Sequence, residues 1–311
     1  MELIPLEQFR KYYNTHVYPE LKRTERLRKR LLTLIFLSLV LIVVVLSISA
    51  YLGVMLLSIF LIMPITFYLF YLAYRIQVFR QTFKPRIVGL VLDFMNEQLN
   101  FTQLSYYPKE FIPKKLFQQS MIFATAAPYY QGEDFIKGFV GEMPFALSEL
   151  VVREFSPMTN KLQDVFEGVF LHSIFPEEGV EGTIVVWPRH KKQYLTRSIK
   201  SFNFEGGYNQ DYEINDPYFR DNFLVYAAPD THVEGILSQP MQEAIATYVA
   251  FTKKDMYFAF HDRHIFCGIA EDRDLLEPAI FTSNIHFDLI REFYYDIMVV
   301  LKIIETFDQT H

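Results

Sequence analysis

Two histidines, His261 and His264, flank Asp262 and Arg263. Imidazoles at that spacing could supply two ligands to a metal site. Structural and catalytic zinc, however, take three or four protein ligands, and Arg263 between the two rings opposes a cation. On a hairpin tip the same residues read equally as solvated loop residues. A second region is acidic and punctuated by glycine, with Glu133, Asp134, Glu142 and Glu149. Carboxylates so grouped could bind a cation. The plainer reading is turn residues of a strand-rich domain, because turns favour the same residue types. His172 lies in an apolar run and reads as a core histidine with a satisfied hydrogen bond rather than a base. Arg189-His190-Lys191-Lys192 follow Pro188 as a basic loop, which is either a contact for anionic lipid or a solvated charge run. The sequence holds no Walker A loop, dinucleotide-binding glycine pattern, nucleophile elbow or His-Glu-x-x-His. No residue is therefore assigned a catalytic, cofactor-binding or metal-binding role, and no cofactor is implied.

The elements that must carry these residues are mostly strands. Met143 to Val152, Val165 to Phe175, Gly182 to Pro188 and Asp221 to Ala228 read as four of them. Asp255 to Phe260 and His264 to Ile269 form a hairpin around His261-Asp262-Arg263. Gln239 to Phe251 reads as a helix with Pro240 at its start. Asn284 to Phe307 reads as an amphipathic helix. Its apolar face is Ile290, Phe293, Tyr294, Ile297, Met298, Leu301 and Ile304, and its polar face includes Asp288, Asp296, Lys302 and Glu305. Strands followed by a covering helix indicate an α+β domain over residues 101–311, built on an antiparallel sheet that could close partly into a barrel.

What precedes this domain is of another kind. From Leu31 to Tyr74 no side chain is charged. A bilayer core of about 30 Å needs about 20 helical residues, so the stretch suffices for two crossings. The expected helices are Leu31 to Ile48 and Val54 to Tyr74, with Gly53 the best turn former between them. Pro64 should kink the second, and Thr33, Ser38, Ser58 and Thr66 are candidates for hydrogen bonds between the two. A cleaved signal peptide fits poorly, since the stretch starts late, runs long and lacks a small-residue cleavage pattern. Lys22, Arg23, Arg26, Arg28, Lys29 and Arg30 precede it and Arg75, Arg80, Lys84 and Arg86 follow, while the turn carries neither Lys nor Arg. Both ends are thus expected in the cytoplasm of a bacterial inner membrane, spanned twice. Residues 1–30 read as a cytoplasmic helical segment, 31–74 as the transmembrane hairpin and 75–100 as a linker helix, from about Lys84, with Pro85 near its start.

The chain has 311 residues, a formal net charge of −6 and 17% aromatics. Its basic residues gather around the apolar stretch, so the remainder is acidic, which argues against nucleic acid as a partner. One cysteine, Cys267, excludes an intramolecular disulfide and suits a reducing compartment.

Several short motifs resemble those of one bacterial family. They are Tyr130-Gln131-Gly132-Glu133-Asp134-Phe135-Ile136-Lys137-Gly138, Phe145 to Leu150, Phe166-Glu167-Gly168-Val169-Phe170 and Gly182 to Pro188. Val225-Tyr226-Ala227, Ile236 to Pro240 and Leu276-Glu277-Pro278 complete the set. Together they are similar to domain-of-unknown-function family 3137. That resemblance implies an N-terminal hydrophobic hairpin and a cytoplasmic domain. It also implies a LemA-type membrane protein as candidate partner, because such proteins are often encoded beside members. The family supplies no catalytic residues to carry over.

Three functions compete on these grounds. The first, and favoured, is a membrane-anchored, non-enzymatic domain engaging a protein or lipid at the inner face. The second is an enzyme with its site near the His261–His264 turn or the Glu133-Asp134 region. The third is a subunit of an oligomeric transport or channel assembly, which without an intramembrane charge would need several chains together.

Overall fold

The computed structural model describes residues 6–98, 101–156, 159–175, 180–191, 214–228, 231–271 and 276–310. Two compact units divide it: Glu2–Phe94 with Leu276–Arg291, and Met95–Leu275 with Glu292–His311.

The first unit is helical. Helix α1 (Leu6–Tyr12) continues through a π-helical turn (Tyr13–Val17) into α2 (Tyr18–Tyr51). Pro19 follows closely on the π-helical turn, where the backbone bonding pattern already changes from that of the flanking α-helices. The chain reverses at Leu52-Gly53-Val54. Gly53 has φ of 70°, which side chains with a Cβ seldom adopt, and the Val54 amide bonds back to the Ser49 carbonyl at 3.0 Å. Helix α3 (Met55–Gln98) then runs through both Pro64 and Pro85. The second arm of the hairpin and the expected linker helix are therefore one element, and Pro85 lies inside it rather than near a start. A proline removes one backbone bond from a long helix, and here the flanking turns carry the helix across that loss.

Both arms are long and apolar enough to cross a membrane. Their side chains point outward: Phe36, Phe60 and Phe70 are 68%, 75% and 69% exposed. The hydroxyls expected to link the arms bond within their own helices instead. Thr33 donates to Lys29 O (2.9 Å), Ser38 to Leu34 O (2.8 Å), Ser58 to Met55 O (2.6 Å) and Thr66 to Ile62 O (3.1 Å). A carbonyl three or four residues back is always within reach, so local satisfaction wins.

Beyond the apolar stretch the same unit packs tightly. The Phe9 ring lies 5.3 Å from Phe94 and 6.3 Å from Phe287, and Tyr13 meets Phe287 edge-on at 4.9 Å. The 276–286 segment is fastened to both long helices. Arg28 forms a two-pronged pair with Glu25, at 2.9 and 2.6 Å, and also donates to the Ile280 carbonyl at 2.5 Å. The Asn284 amide donates to Glu25 (3.4 Å), and Glu277 lies 3.6 Å from Arg80 and 3.5 Å from Lys84. Hydrogen bonding from Arg28 holds the Glu25 carboxyl below its ordinary range despite burial.

The second unit contains eight antiparallel strands: β1 (Phe101–Tyr107), β2 (Tyr129–Val140), β3 (Met143–Phe155), β4 (Leu162–Ile174), β5 (Val180–Pro188), β6 (Phe223–Ala227), β7 (Met256–Asp262) and β8 (His264–Ala270). Their order is β1-β2-β3-β4-β8-β7-β5-β6. β1 and β6 are edges, so the sheet is open and the partly closed barrel is not formed. Closure would need those edges to pair, and six strands lie between them. The expected strand from Asp221 starts two residues later, because Asp221 and Asn222 end the helix Pro217–Asn222, capped by Asp216 on the Phe219 amide. β1 and β2 had no counterpart among the expected strands.

Both faces of the sheet are covered. On one, Trp187, Tyr257, Phe166, Phe170 and Phe266 pack with Phe117, Ile122 and Phe123 from the β1–β2 connection, and the Trp187 indole donates to Ile122 O at 3.1 Å. On the other lie Phe258, Phe260, Ile265 and Cys267, all buried. Tyr248 of the helix Gln239–Thr252 is buried close to Cys267. The C-terminal helix (Phe287–Thr310) buries its whole expected apolar face, Ile290 through Ile304. Gly168 makes the β4–β8 pairing feasible. Its φ is 143°, and a Cβ there would meet the Ile269 carbonyl oxygen at 2.1 Å.

Candidate functional site

The acidic region lies in a strand rather than a turn. β2 pairs with β3 so that Glu133 stands directly opposite Glu149. The register then shifts before Ile136, and Asp134 at this bulge takes φ of 60°. Bulging turns the Asp134 side chain to the same place as its neighbours. Oxygens of Glu133, Asp134 and Glu149 all lie within 4.8 Å of one another. Glu133 is exposed, while Asp134 and Glu149 are 8% and 9% exposed. The Tyr106 hydroxyl donates to Asp134 Oδ1, and the Asp134 amide donates to Pro108 O at 3.3 Å. Gly132 keeps the backbone close here, since a Cβ would fall 2.6 Å from the Glu149 carbonyl oxygen. Glu142 is exposed at the β2–β3 turn and is not one of this group. Like charges directly opposite across a ladder repel. Three carboxylates converging from one side are an oxygen donor set of the kind hard divalent cations take, completed by water.

The histidines are arranged otherwise than their spacing suggests. His261 and His264 face each other across the β7–β8 hairpin, yet each is engaged elsewhere. His261 Nδ1 meets Thr183 Oγ1 at 2.6 Å, and its Nε2 lies 3.3 Å from Asp262. His264 Nδ1 meets His172 Nε2 at 2.8 Å, with the rings stacked at 5.1 Å and Phe266 5.0 Å from His172. His172 is thus the hydrogen-bonded core histidine expected. Burial, and then the charge of His264, hold its pKa down to about 4. His264 is also lowered, chiefly by burial. A neutral pair of this kind shares one N–H between two rings. Among the described residues these histidines do not form a set of three close metal donors.

Arg189 and its neighbours are occupied within their own unit. Arg189 donates to the Arg220 and Phe223 carbonyls, at 2.7 and 3.0 Å. His190 and Lys191 lie 3.1 and 3.5 Å from Asp255. Lys192 lies outside the described residues.

One buried cluster has no trace in sequence spacing. Lys254 reaches both oxygens of Asp296, at 3.0 and 2.9 Å, and pairs with Glu271, while the Tyr248 hydroxyl lies 3.4 Å from Asp296. Asp296 had been placed on the exposed side of the last helix; it is 5% exposed. Burial pushes it up to about 6, with Lys254 pulling the other way. Burial alone would lower Lys254, but the two carboxylates leave it raised. Three segments meet here: the end of the helix Gln239–Thr252 with Lys254, Glu271 after β8, and Asp296 of the last helix. Burial also pushes the Cys267 thiol well up.

Residues 164–309, from β4 into the last helix, match a family model described as "Protein of unknown function (DUF3137)". No curated protein matches the chain. Among solved structures, one similar chain is the crystal structure of the mycobacterial trehalose monomycolate transport factor A, TtfA. It shares 8% identity, with 64% of this chain and 88% of that one covered, at a TM-score of 0.27.

Proposed function

We propose that this chain, a member of the DUF3137 family by its residues 164–309, is a non-enzymatic binding domain. It is held at the inner face of a bacterial cytoplasmic membrane by a two-helix hairpin. One observation carries the reading: two adjacent helices, each long and apolar enough to cross a membrane, present large apolar side chains outward. Exposed apolar surface of that extent calls for a lipid solvent. Lys and Arg flank both outer ends of the hairpin and are missing from its turn, which supports two cytoplasmic termini. On this reading residues 1–30 are a cytoplasmic helical segment, 31–74 span the membrane, 75–100 lead out of it and 101–311 form the binding domain. A protein at the membrane, of LemA type by family resemblance, is the partner class. The test is attachment and topology. The chain should stay with membranes through alkaline carbonate washing, a C-terminal reporter should read cytoplasmic, and one at Gly53 should read exported. Release by carbonate would sink the anchor, and an exported C-terminus would sink the orientation.

A second reading is favoured by the convergence of Glu133, Asp134 and Glu149 within 4.8 Å. It makes this group a divalent-cation site serving the domain's activity. Calorimetric titration of the purified chain with calcium or magnesium separates the two readings. Saturable heat that vanishes in Glu149→Gln favours the second.

A further inference from the structure

Phe281 is 85% exposed, against a fully folded background in which most phenylalanines outside the hairpin are buried. Its backbone is not loose. The preceding Ile280 carbonyl is held by Arg28 at 2.5 Å, Glu25 takes the Asn284 amide, and the Asn284 side chain closes the loop by bonding both backbone groups of Ala279, at 2.7 and 2.9 Å. A ring is thus presented outward on a braced loop.

Its position along the helices is informative. Arg28 precedes Leu31, the first residue of the uncharged stretch, by three positions, or about 4.5 Å of helix rise. The headgroup region adds roughly 5–8 Å to each side of the hydrocarbon. The Ile280 carbonyl is held by Arg28, whose side chain also pairs with Glu25 six positions before Leu31, so the loop stands about 4.5–9 Å outside the uncharged stretch, at headgroup level if the hairpin spans. Around the same level Arg26, Lys29, Arg30 and Arg75 are exposed, with Lys22 and Arg23 exposed one to two turns further from the uncharged stretch. That collar complements anionic headgroups, which attract basic groups near the surface. An acidic or neutral protein surface has no comparable claim on an apolar ring whose neighbour is held by Arg28, close to a basic collar and an apolar span.

We infer that the 276–286 loop is a membrane-surface contact, with Phe281 seated in the headgroup layer of an anionic bilayer. The inference rests on the spanning reading of the hairpin. An apolar ring at this depth behaves as the buried side of an interfacial helix does. Arg28 is a positioning residue: it holds the loop at the depth where the ring meets lipid.

The experiment uses the full chain in proteoliposomes of phosphatidylglycerol and phosphatidylcholine, with brominated acyl chains as quencher. Trp187, buried in the sheet core, supplies the unquenched baseline. Phe281→Trp should add a blue-shifted emission that brominated lipid removes. Phe60→Trp, within the hairpin, should be quenched as well. Quenching of Trp at 60 without quenching at 281 overturns the loop contact and leaves the hairpin reading standing. Loss of quenching at both overturns both. A Phe281→Cys variant carrying an environment-sensitive label repeats the measurement if the indole disturbs the loop. A solvent-like spectrum from it, with Trp at 60 still quenched, rejects the contact.

Discussion

The hairpin and the sheet are built from the same residue types and place them in opposite ways. Phe60 in α3 is 75% exposed, whereas Phe258 and Phe260 in β7 are wholly buried. Helices satisfy every backbone group internally, so the arms can leave their side chains to lipid. A sheet satisfies its backbone only through neighbouring strands, and both its faces must then be covered by other parts of the chain. One region needs a solvent and the other makes its own. Disturbances should therefore act on the two independently.

The strongest way to break this contrast is a charge. Ile297→Asp, in the last helix, should abolish folding of the sheet unit, because an unpaired buried carboxylate costs more than a cavity. Phe60→Asp should leave the Trp187 fluorescence of the sheet native while impairing insertion, at about 3 kcal/mol. A native sheet in Ile297→Asp would show that this face is not core. Next comes a cavity: Leu301→Ala should lower stability by about 2–5 kcal/mol in urea unfolding of the detergent-solubilised chain. A loss below that range would mean the site collapses around the gap.

Acid should also act on the sheet and not on the uncharged stretch from Leu31 to Tyr74, which has no carboxylate or histidine. His172 has a folded pKa of about 4 against about 6.5 unfolded, so the unfolded chain binds more protons between those values. Its contribution to stability is complete above 6.5 and is lost as pH falls toward 4. Asp296, raised to about 6, has the opposite sign and favours the folded state as pH falls through the window from 6 to 4. His172→Phe removes the first effect, together with the hydrogen bond to His264, and leaves the second. Relative to wild type it should gain about 2 kcal/mol between pH 7 and pH 5, read from urea midpoints at each pH. A constant difference across that range would show that His172 is not buried neutral.

The smallest effect expected is at the acidic group. Glu133→Gln relieves repulsion with Glu149 across the β2–β3 ladder and should stabilise the chain by about 0.2–1 kcal/mol in the presence of EDTA. A loss of stability would show instead that the Glu133 charge holds a favourable contact.

Legibility in the sequence followed the range of the interaction. The uncharged stretch from Leu31 to Tyr74, the apolar face ending at Ile304 and the β7–β8 hairpin are local patterns, and the structure contains them within a few residues. β2 escaped because Gly132, Gly138 and the Glu133-Asp134 pair look like turn chemistry, whereas here glycine serves close strand approach and Asp134 serves a bulge. The open sheet rather than a barrel, and the insertion of β8 beside β4, depend on pairings between distant strands that no periodicity encodes. His172 with His264, and Lys254 with Asp296, are consequences of those pairings. Glu133 and Glu149 were singled out as acidic residues, but only the β2–β3 register shows that they stand face to face.

Cys267 gives the molecule a built-in clock. It lies in β8, between β4 and β7, with a buried and strongly protonated thiol. A thiol reagent can reach it only when the middle of the sheet opens, and the attacking thiolate forms only then. The rate at which the wild-type chain takes up label in native buffer is therefore a count of sheet openings, obtained without denaturant. Cys267 is the one cysteine of this sequence, so in a purified sample the label taken up counts openings of the sheet and nothing else.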